Sequence, residues 1–210
     1  MKPDERKDFN EGSQQWDAQL FRVNLANNIA EAIRRETSLS KDMAALDFGC
    51  GTGLVTLSLQ PLVGTITGAD SSPGMLSKLD EKIKEQGLTN VRTLVVDFEK
   101  GDRIAEKFDL IVCSMVLHHV PDTISLFRIW QEMLLPGGRL CLSDLDSEDG
   151  SFHGDNTGVF HFGFDREDLK KQLHSAGFPE VRDVTATSAS KEVTGKGMCE
   201  FHIFLIVADK

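Results

Sequence analysis

Residues 47–53, Asp47-Phe48-Gly49-Cys50-Gly51-Thr52-Gly53, set three glycines at alternate positions behind a carboxylate. An apolar run from Met43 to Phe48 leads into them, and Leu54-Val55-Thr56-Leu57 reads as the start of a helix. Glycines at this spacing let the backbone turn sharply and approach a ligand with no Cβ in the way. The helix behind them would offer unpaired N–H groups and the positive end of its dipole. This is the chemistry of a nucleotide-type cradle at the carboxyl end of a first strand. A dinucleotide fingerprint runs G-x-G-x-x-G. The spacing here is G-x-G-x-G, which argues against a nicotinamide cofactor.

More reactive side chains follow at predicted strand ends. Asp70 comes about twenty residues after the loop, where a carboxylate can accept hydrogen bonds from both hydroxyls of a ribose. Asp97 closes the short apolar run Val91 to Val96. His118 and His119 follow the run Phe108 to Cys113, and His153 and His161 fall after the next run, Arg139 to Ser143. Neighbouring strand ends would bring these four imidazoles to one pocket. Segment Asp146 to Phe164 also carries Phe152, Phe160, Phe162 and several glycines, which suits a flexible aromatic lid.

The elements that must hold these groups alternate in type. Trp16, Leu20, Val23, Ala26, Ala30 and Ile33 recur at helical spacing, and residues 1–12 are polar and expected to fray. Thr65 to Ala69 reads as a second strand, Pro73 to about Gln86 as a helix stopped by Gly87, and Val91 to Val96 as a third strand. Pro121 and Asp122 open a helix through Leu134 that Pro136-Gly137-Gly138 ends, before a strand over Arg139 to Ser143. Asp165 can cap a helix to Ala176, with Gly177 at its end. Val181 to Thr187 and Glu200 to Val207 read as final strands joined by a polar loop. Strands alternating with helices imply right-handed crossovers and a doubly wound α/β sheet covered on both faces.

The order Asp47-x-Gly49-x-Gly51-x-Gly53, Asp70, Val96-Asp97-Phe98 and Leu117-His118-His119-Val120 resembles the class I S-adenosylmethionine-dependent methyltransferases. The resemblance is fullest over Ala44 to Asp144. It implies a Rossmann-like, seven-stranded, mostly parallel sheet whose last strand inserts antiparallel. It implies S-adenosylmethionine as cofactor and S-adenosylhomocysteine as product. Asp47 would orient the glycine loop or bind the methionine ammonium, and Gly49, Gly51 and Gly53 would form the cradle. Asp70, with Ser71 beside it, would take the ribose. Asp97 would accept from the adenine amino group, Phe98 would cover the ring, and Met75 would be a second adenine contact. Ser114 would approach the methionine end through backbone groups. His161, His119 and His153 are the catalytic candidates, and no metal site is expected. The chain is most similar to the branch that methylates quinone precursors, lipids or secondary metabolites, so a small-molecule acceptor is expected. The alternative is a protein that binds the cofactor or its product without transferring methyl.

Composition bounds the rest. The 210 residues are 40% hydrophobic and 27% charged, suited to one domain with a substantial core. We expect a helical cap over 1–40, a cofactor-binding half over 41–144 and a substrate-side half over 145–210, with the lid at about 145–165. Thirty-three acidic residues against 23 basic give a formal charge of −10, which repels phosphate backbones and disfavours nucleic acid as substrate. The four cysteines are scattered and suit a reducing compartment. No apolar run approaches the roughly 20 residues of a spanning helix, and the charged amino terminus has no apolar signal core. A cytoplasmic monomer or homodimer is expected.

Overall fold

The computed structural model describes residues 7–210; residues 1–6 of the polar lead lie outside the described residues. Seven strands form one sheet in the order β3-β2-β1-β4-β5-β7-β6. They are β1 (Ala44–Phe48), β2 (Thr65–Asp70), β3 (Val91–Val95), β4 (Phe108–Ser114), β5 (Leu134–Leu145), β6 (Glu180–Val193) and β7 (Gly197–Asp209). Strands β1 to β5 pair in parallel, and β7 runs antiparallel between β5 and β6. The order reverses between β1 and β4, so a crevice opens beyond the carboxyl ends of those two strands.

Alternation along each central strand builds the two faces. In β4, Leu110 and Val112 join the face covered by Ile29, Ala30 and Ile33 of α1 (Leu20–Glu36), with Val55 and Leu59 of α2 (Leu54–Leu59). Ile111 and Cys113 point the other way, to Phe127 and Trp130 of α4 (Thr123–Met133) and Leu169 and Leu173 of α5 (Arg166–Ser175). Both sets are buried, as a strand sandwiched between helix layers requires. The remaining helix, α3 (Pro73–Glu85), begins as the sequence reads it: Ser72 Oγ accepts from Met75 N, with Pro73 at the first helical position.

Three sequence expectations are corrected. Helical spacing predicts a helix from Trp16, but a 3-10 turn over Glu11–Gln15 comes first and α1 begins at Leu20. The break frees Asp17, whose carboxylate accepts from Thr52 Oγ1 at 2.6 Å and pairs with Lys82 at 2.5 Å. Residues 7–12 are not frayed where they matter. Asn10 Oδ1 accepts from Ser72 Oγ at 2.9 Å and Gly74 N at 2.8 Å, fixing the lead to the start of α3. The predicted polar loop of residues 188–199 is mostly strand. It continues the β6–β7 hairpin to the pair Val193↔Gly197, and its Ala189 is buried opposite Phe201 of β7.

The aromatic segment after β5 is tied at both ends. Arg166 holds Asp146 through two bonds of 2.6 and 2.7 Å, and Phe164 N donates to Leu145 O at 2.9 Å. Gly163 sits at the crossing with φ 70°, and a Cβ there would stand 2.1 Å from the carbonyl oxygen of Asp146. Backbone cannot yield to that contact as a side-chain tip can. Gly163→Ala is expected to destabilise the protein by about 2 kcal/mol or more and to speed proteolysis within 147–162. Thermal melting and limited proteolysis check this, and an unchanged cleavage pattern would rule out the crossing as the anchor.

Candidate functional site

The crevice holds a cavity of about 1030 Å³, larger than the range of roughly 300–1,000 Å³ usual for a small-ligand site. One wall of it starts at the glycine loop. Gly49 N and Cys50 N both donate to Ala69 O, at 2.7 and 3.1 Å, which binds the loop to the end of β2. Gly51 has φ 55° and open space where a Cβ would stand, so its backbone faces the cavity bare. The helix behind the loop is short, six residues in α2. Positive dipole at its start is correspondingly small, the N–H groups of Gly49, Cys50, Gly51 and Gly53 are bonded within the protein, and the polar side chains beside the loop are carboxylates.

Those carboxylates stand at the ends of three adjacent strands. Asp70 accepts from Gly51 N and Ser72 N, both at 2.8 Å, and burial raises its carboxyl above the ordinary value against those bonds. Asp47 is 1% exposed, and its Oδ2 accepts from Thr56 Oγ1 at 2.5 Å. Desolvation pushes its carboxyl up to about 7, with Asp70 adding a smaller like-charge effect. Asp97 lies two residues past the third of these strands, where its side chain caps the turn Phe98–Lys100 and pairs with Lys100 Nζ at 3.2 Å. Phe98 lies 5.3 Å from Phe48, and the two rings give this end of the cavity an apolar wall.

Histidines line the opposite end. His118 stands 4.2 Å from His119 and 4.7 Å from His153, centroid to centroid. Behind His118, Asp144 at the end of β5 is fully buried and accepts from His118 Nδ1 at 2.7 Å, Leu145 N at 2.8 Å and His118 N at 3.2 Å. Burial alone would raise the Asp144 carboxyl, but the facing imidazole and these bonds carry it below the usual range. His119 shares Nδ1 with Gly158 O at 2.7 Å. Its pKa falls to about 4 through desolvation first and His118 second, and His153 falls to about 4 in the same way. His153 Nε2 is buried with no hydrogen-bond partner among the described residues. Between the histidines and the glycine loop, Met115 takes φ 56°, a left-handed conformation uncommon for a residue with a Cβ, and lines the cavity next to Ser114.

Aromatic side chains complete this end. Phe9 packs edge-on to His119 at 5.2 Å and to Trp16 at 5.9 Å, and the Arg22 guanidinium lies 3.6 Å over Trp16. Phe152 meets His153 at 5.0 Å and Phe21 at 6.3 Å. Lys191, from the part of β6 read in the sequence as loop, donates to Phe152 O at 2.5 Å.

The cavity therefore gathers Asp47, Gly49, Gly51, Asp70, Ser71, Met75, Asp97, Phe98, Ser114, His119 and His153 from the sequence candidates. Gly53 and His161 do not line it. Gly53, with φ 83°, packs where a Cβ would meet Leu79 at 2.4 Å, so it serves the turn and the packing beneath the loop. His161 turns its Nε2 to Val120 O at 3.0 Å and packs on Phe164. Sequence reasoning did not single out Phe9 for the site, nor pair Asp144 with His118. Among the described residues no group of three or more His, Cys, Asp or Glu is arranged to hold a metal ion, and no helix is long and apolar enough to cross a membrane.

Comparison with known proteins agrees with this geometry. Residues 45–138 match the methyltransferase domain family. An uncharacterized methyltransferase of Schizosaccharomyces pombe is 32% identical over 135 residues, covering 58% of this chain and 48% of that protein. The ubiquinone biosynthesis O-methyltransferase of Actinobacillus pleuropneumoniae is 33% identical over 105 residues, covering 48% of this chain and 45% of that protein. This chain thus spans about half the length of the curated relatives it matches. In fold it is similar to a SAM-dependent methyltransferase from Aquifex aeolicus, at a TM-score of 0.68 and 20% identity over 95% of this chain and 97% of that one. The glycine loop, the strand-end carboxylates and the seven-stranded sheet with its reversed β7 agree with that match, and residues 45–138 of the chain are a methyltransferase domain.

Proposed function

We propose that this protein transfers the methyl group of S-adenosylmethionine to a small-molecule acceptor. The observation that carries the proposal is one continuous cavity with a glycine cradle and three strand-end carboxylates at one end and histidines with aromatic rings at the other. The residues fit the cofactor. Gly51 leaves bare backbone where a side chain would intrude, the Asp70 carboxylate suits the two ribose hydroxyls with Ser71 beside it, and Asp97, Phe98 and Met75 suit the adenine. Asp47 and Ser114 would face the methionine end. When bound, the cofactor supplies a methyl carbon activated by its sulfonium. The chain's part is to hold the acceptor in line with that carbon and exclude water, which is worth about 7–11 kcal/mol of barrier in favourable systems.

A cavity this large has room for cofactor and acceptor together, which favours a small acceptor seated beside the cofactor. We read 1–40, of which residues 7–40 are described, as the cap, 41–144 as the cofactor half and 145–210 as the substrate half, with the lid at about 145–165. The reading takes the working form to be a cytoplasmic monomer or homodimer. A protein that binds the cofactor without transfer is the less favoured alternative, because the matched relatives are named methyltransferases. Isothermal titration with S-adenosylmethionine and S-adenosylhomocysteine is expected to give micromolar dissociation constants for both. Absence of binding by either would sink the proposal.

A further inference from the structure

Three imidazoles line the acceptor end, and only one is built to receive a proton. Asp144 is an acceptor-only carboxylate 2.7 Å from His118 Nδ1, so that nitrogen carries hydrogen and Nε2 keeps its lone pair. The backbone N–H groups of His118 and Leu145 fix the carboxylate from behind, and His118 O accepts from Phe160 N at 2.9 Å, so the ring's mounting is rigid. A positive charge on His118 would have a carboxylate partner at once. His119 and His153 have none among the described residues; His119 Nδ1 bonds a carbonyl, and His153 Nε2 has no hydrogen-bond partner among them. Kept neutral by burial, these two neighbours would not repel a charge on the ring between them.

Resting on the transferase reading above, we propose that His118 is the general base and that the acceptor is a hydroxylated arene. The pair serves a nucleophile that must lose a proton to attack. A neutral amine already has its lone pair free, whereas a phenol, with pKa near ~10 like the tyrosine side chain, is weakly nucleophilic until its O–H is polarised. Phe9, Trp16 and Phe152 line the same end and suit a flat aromatic ring. In the step, the phenolic oxygen bonds to the methyl carbon as the carbon–sulfur bond breaks, and that electron pair stays on sulfur. The O–H proton goes to His118 Nε2, and the imidazolium is held by Asp144. Products are the aryl methyl ether, neutral S-adenosylhomocysteine and one proton, released from His118 to solvent.

Two measurements test this. In ¹⁵N-histidine-labelled protein with S-adenosylhomocysteine, the His118 resonances are expected to show the Nδ1–H tautomer. An Nε2–H tautomer overturns the assignment whatever the acceptor. Catechol and 3,4-dihydroxybenzoate are then offered with S-adenosylmethionine, with benzylamine as the amine probe, and methyl ether is expected. His118→Asn, whose amide nitrogen stands where Nδ1 does and keeps a donor for Asp144 but has no base, is expected to lower kcat about a hundredfold, with KM and S-adenosylhomocysteine affinity within threefold of wild type. Asp144→Asn is expected to fall between the two. A kcat for His118→Asn within threefold of wild type overturns the base, and so does a drop in cofactor affinity as large as the drop in kcat. Methylation of benzylamine alone, or of none of the three with cofactor bound, overturns the acceptor class and leaves the transferase reading standing. Absence of cofactor binding overturns that reading itself.

Discussion

Asp70→Ala is expected to weaken S-adenosylhomocysteine binding at least about a hundredfold. A carboxylate that accepts from two ribose hydroxyls makes two charge-assisted hydrogen bonds, each worth roughly 1.5–3 kcal/mol, and about 3 kcal/mol is already more than a hundredfold in affinity. Asp70 also organises the loop, since Gly51 N and Ser72 N both donate to it. Alanine removes that support too. Asp70→Asn separates the contributions, because its amide oxygen can still accept from one of these N–H groups while the negative charge is gone. We expect Asn to recover part of the lost affinity and nearly all of the melting temperature. Calorimetry showing Ala within threefold of wild type would remove Asp70 from the ribose site. Equal losses for Asn and Ala would make the charge, and not loop order, the decisive part.

Legibility in the sequence followed the range of the interaction that sets each feature. The positions of the glycine loop and Asp70 at the mouth of the crevice were readable because they depend on local backbone and on a strand-end placement that short-range pattern reveals. The parallel strands were readable for the same reason: residues such as Leu110 and Ile111 are apolar on both faces. What depends on distant partners was not. The His118–Asp144 pair spans 26 residues and exists because β4 and β5 are neighbours in the sheet. Asn10 reaches Ser72 across 62 residues, a contact no polar lead announces. The outer part of the β6–β7 hairpin, with Ser188, Ser190 and Lys191, reads as loop because it takes its strand form from pairing with β7 and from packing Ala189 and Phe201 inward.

The histidines show the limit in another way. His161 shares a segment with four aromatic or glycine-rich neighbours of the cavity, so sequence proximity argued for it as strongly as for His153. The turn at Gly158 decides between them. Past that point Phe160 N and His161 N both donate to His118 O, the chain runs away from the cavity, and the His161 ring ends on Val120 O. Before it, Phe152 and His153 face inward. A two-state feature of this kind, in or out, is set by a few backbone hydrogen bonds that residue type does not encode.

Asp47→Asn is expected to move stability and cofactor affinity in opposite directions. Asp47 is fully buried with a carboxyl raised from 3.8 to about 7. Between those values the folded protein binds more protons than the unfolded chain, so stability falls as pH rises through the window and the cost is complete above about pH 7. The linkage implies a cost on the order of 4 kcal/mol at pH 8. Asparagine has no charge to desolvate and keeps an acceptor for Thr56 Oγ1, so part of that cost should return, about 1–3 kcal/mol, or a melting temperature higher by about 2–9 °C at pH 8. Near pH 5, where Asp47 is protonated in the folded state, the gain should largely vanish. Affinity should go the other way. A carboxylate kept against its desolvation at the methionine end has a cationic partner to gain when the cofactor's ammonium arrives, and Asn forfeits it, weakening S-adenosylmethionine binding about tenfold or more. Melting curves at pH 5 and pH 8, with titrations of the same variant, separate the outcomes. A variant no more stable at pH 8 would mean that Asp47 is stabilised by more than Thr56. One that is more stable and still binds the cofactor at wild-type strength would show that the buried charge serves neither the fold nor the ligand.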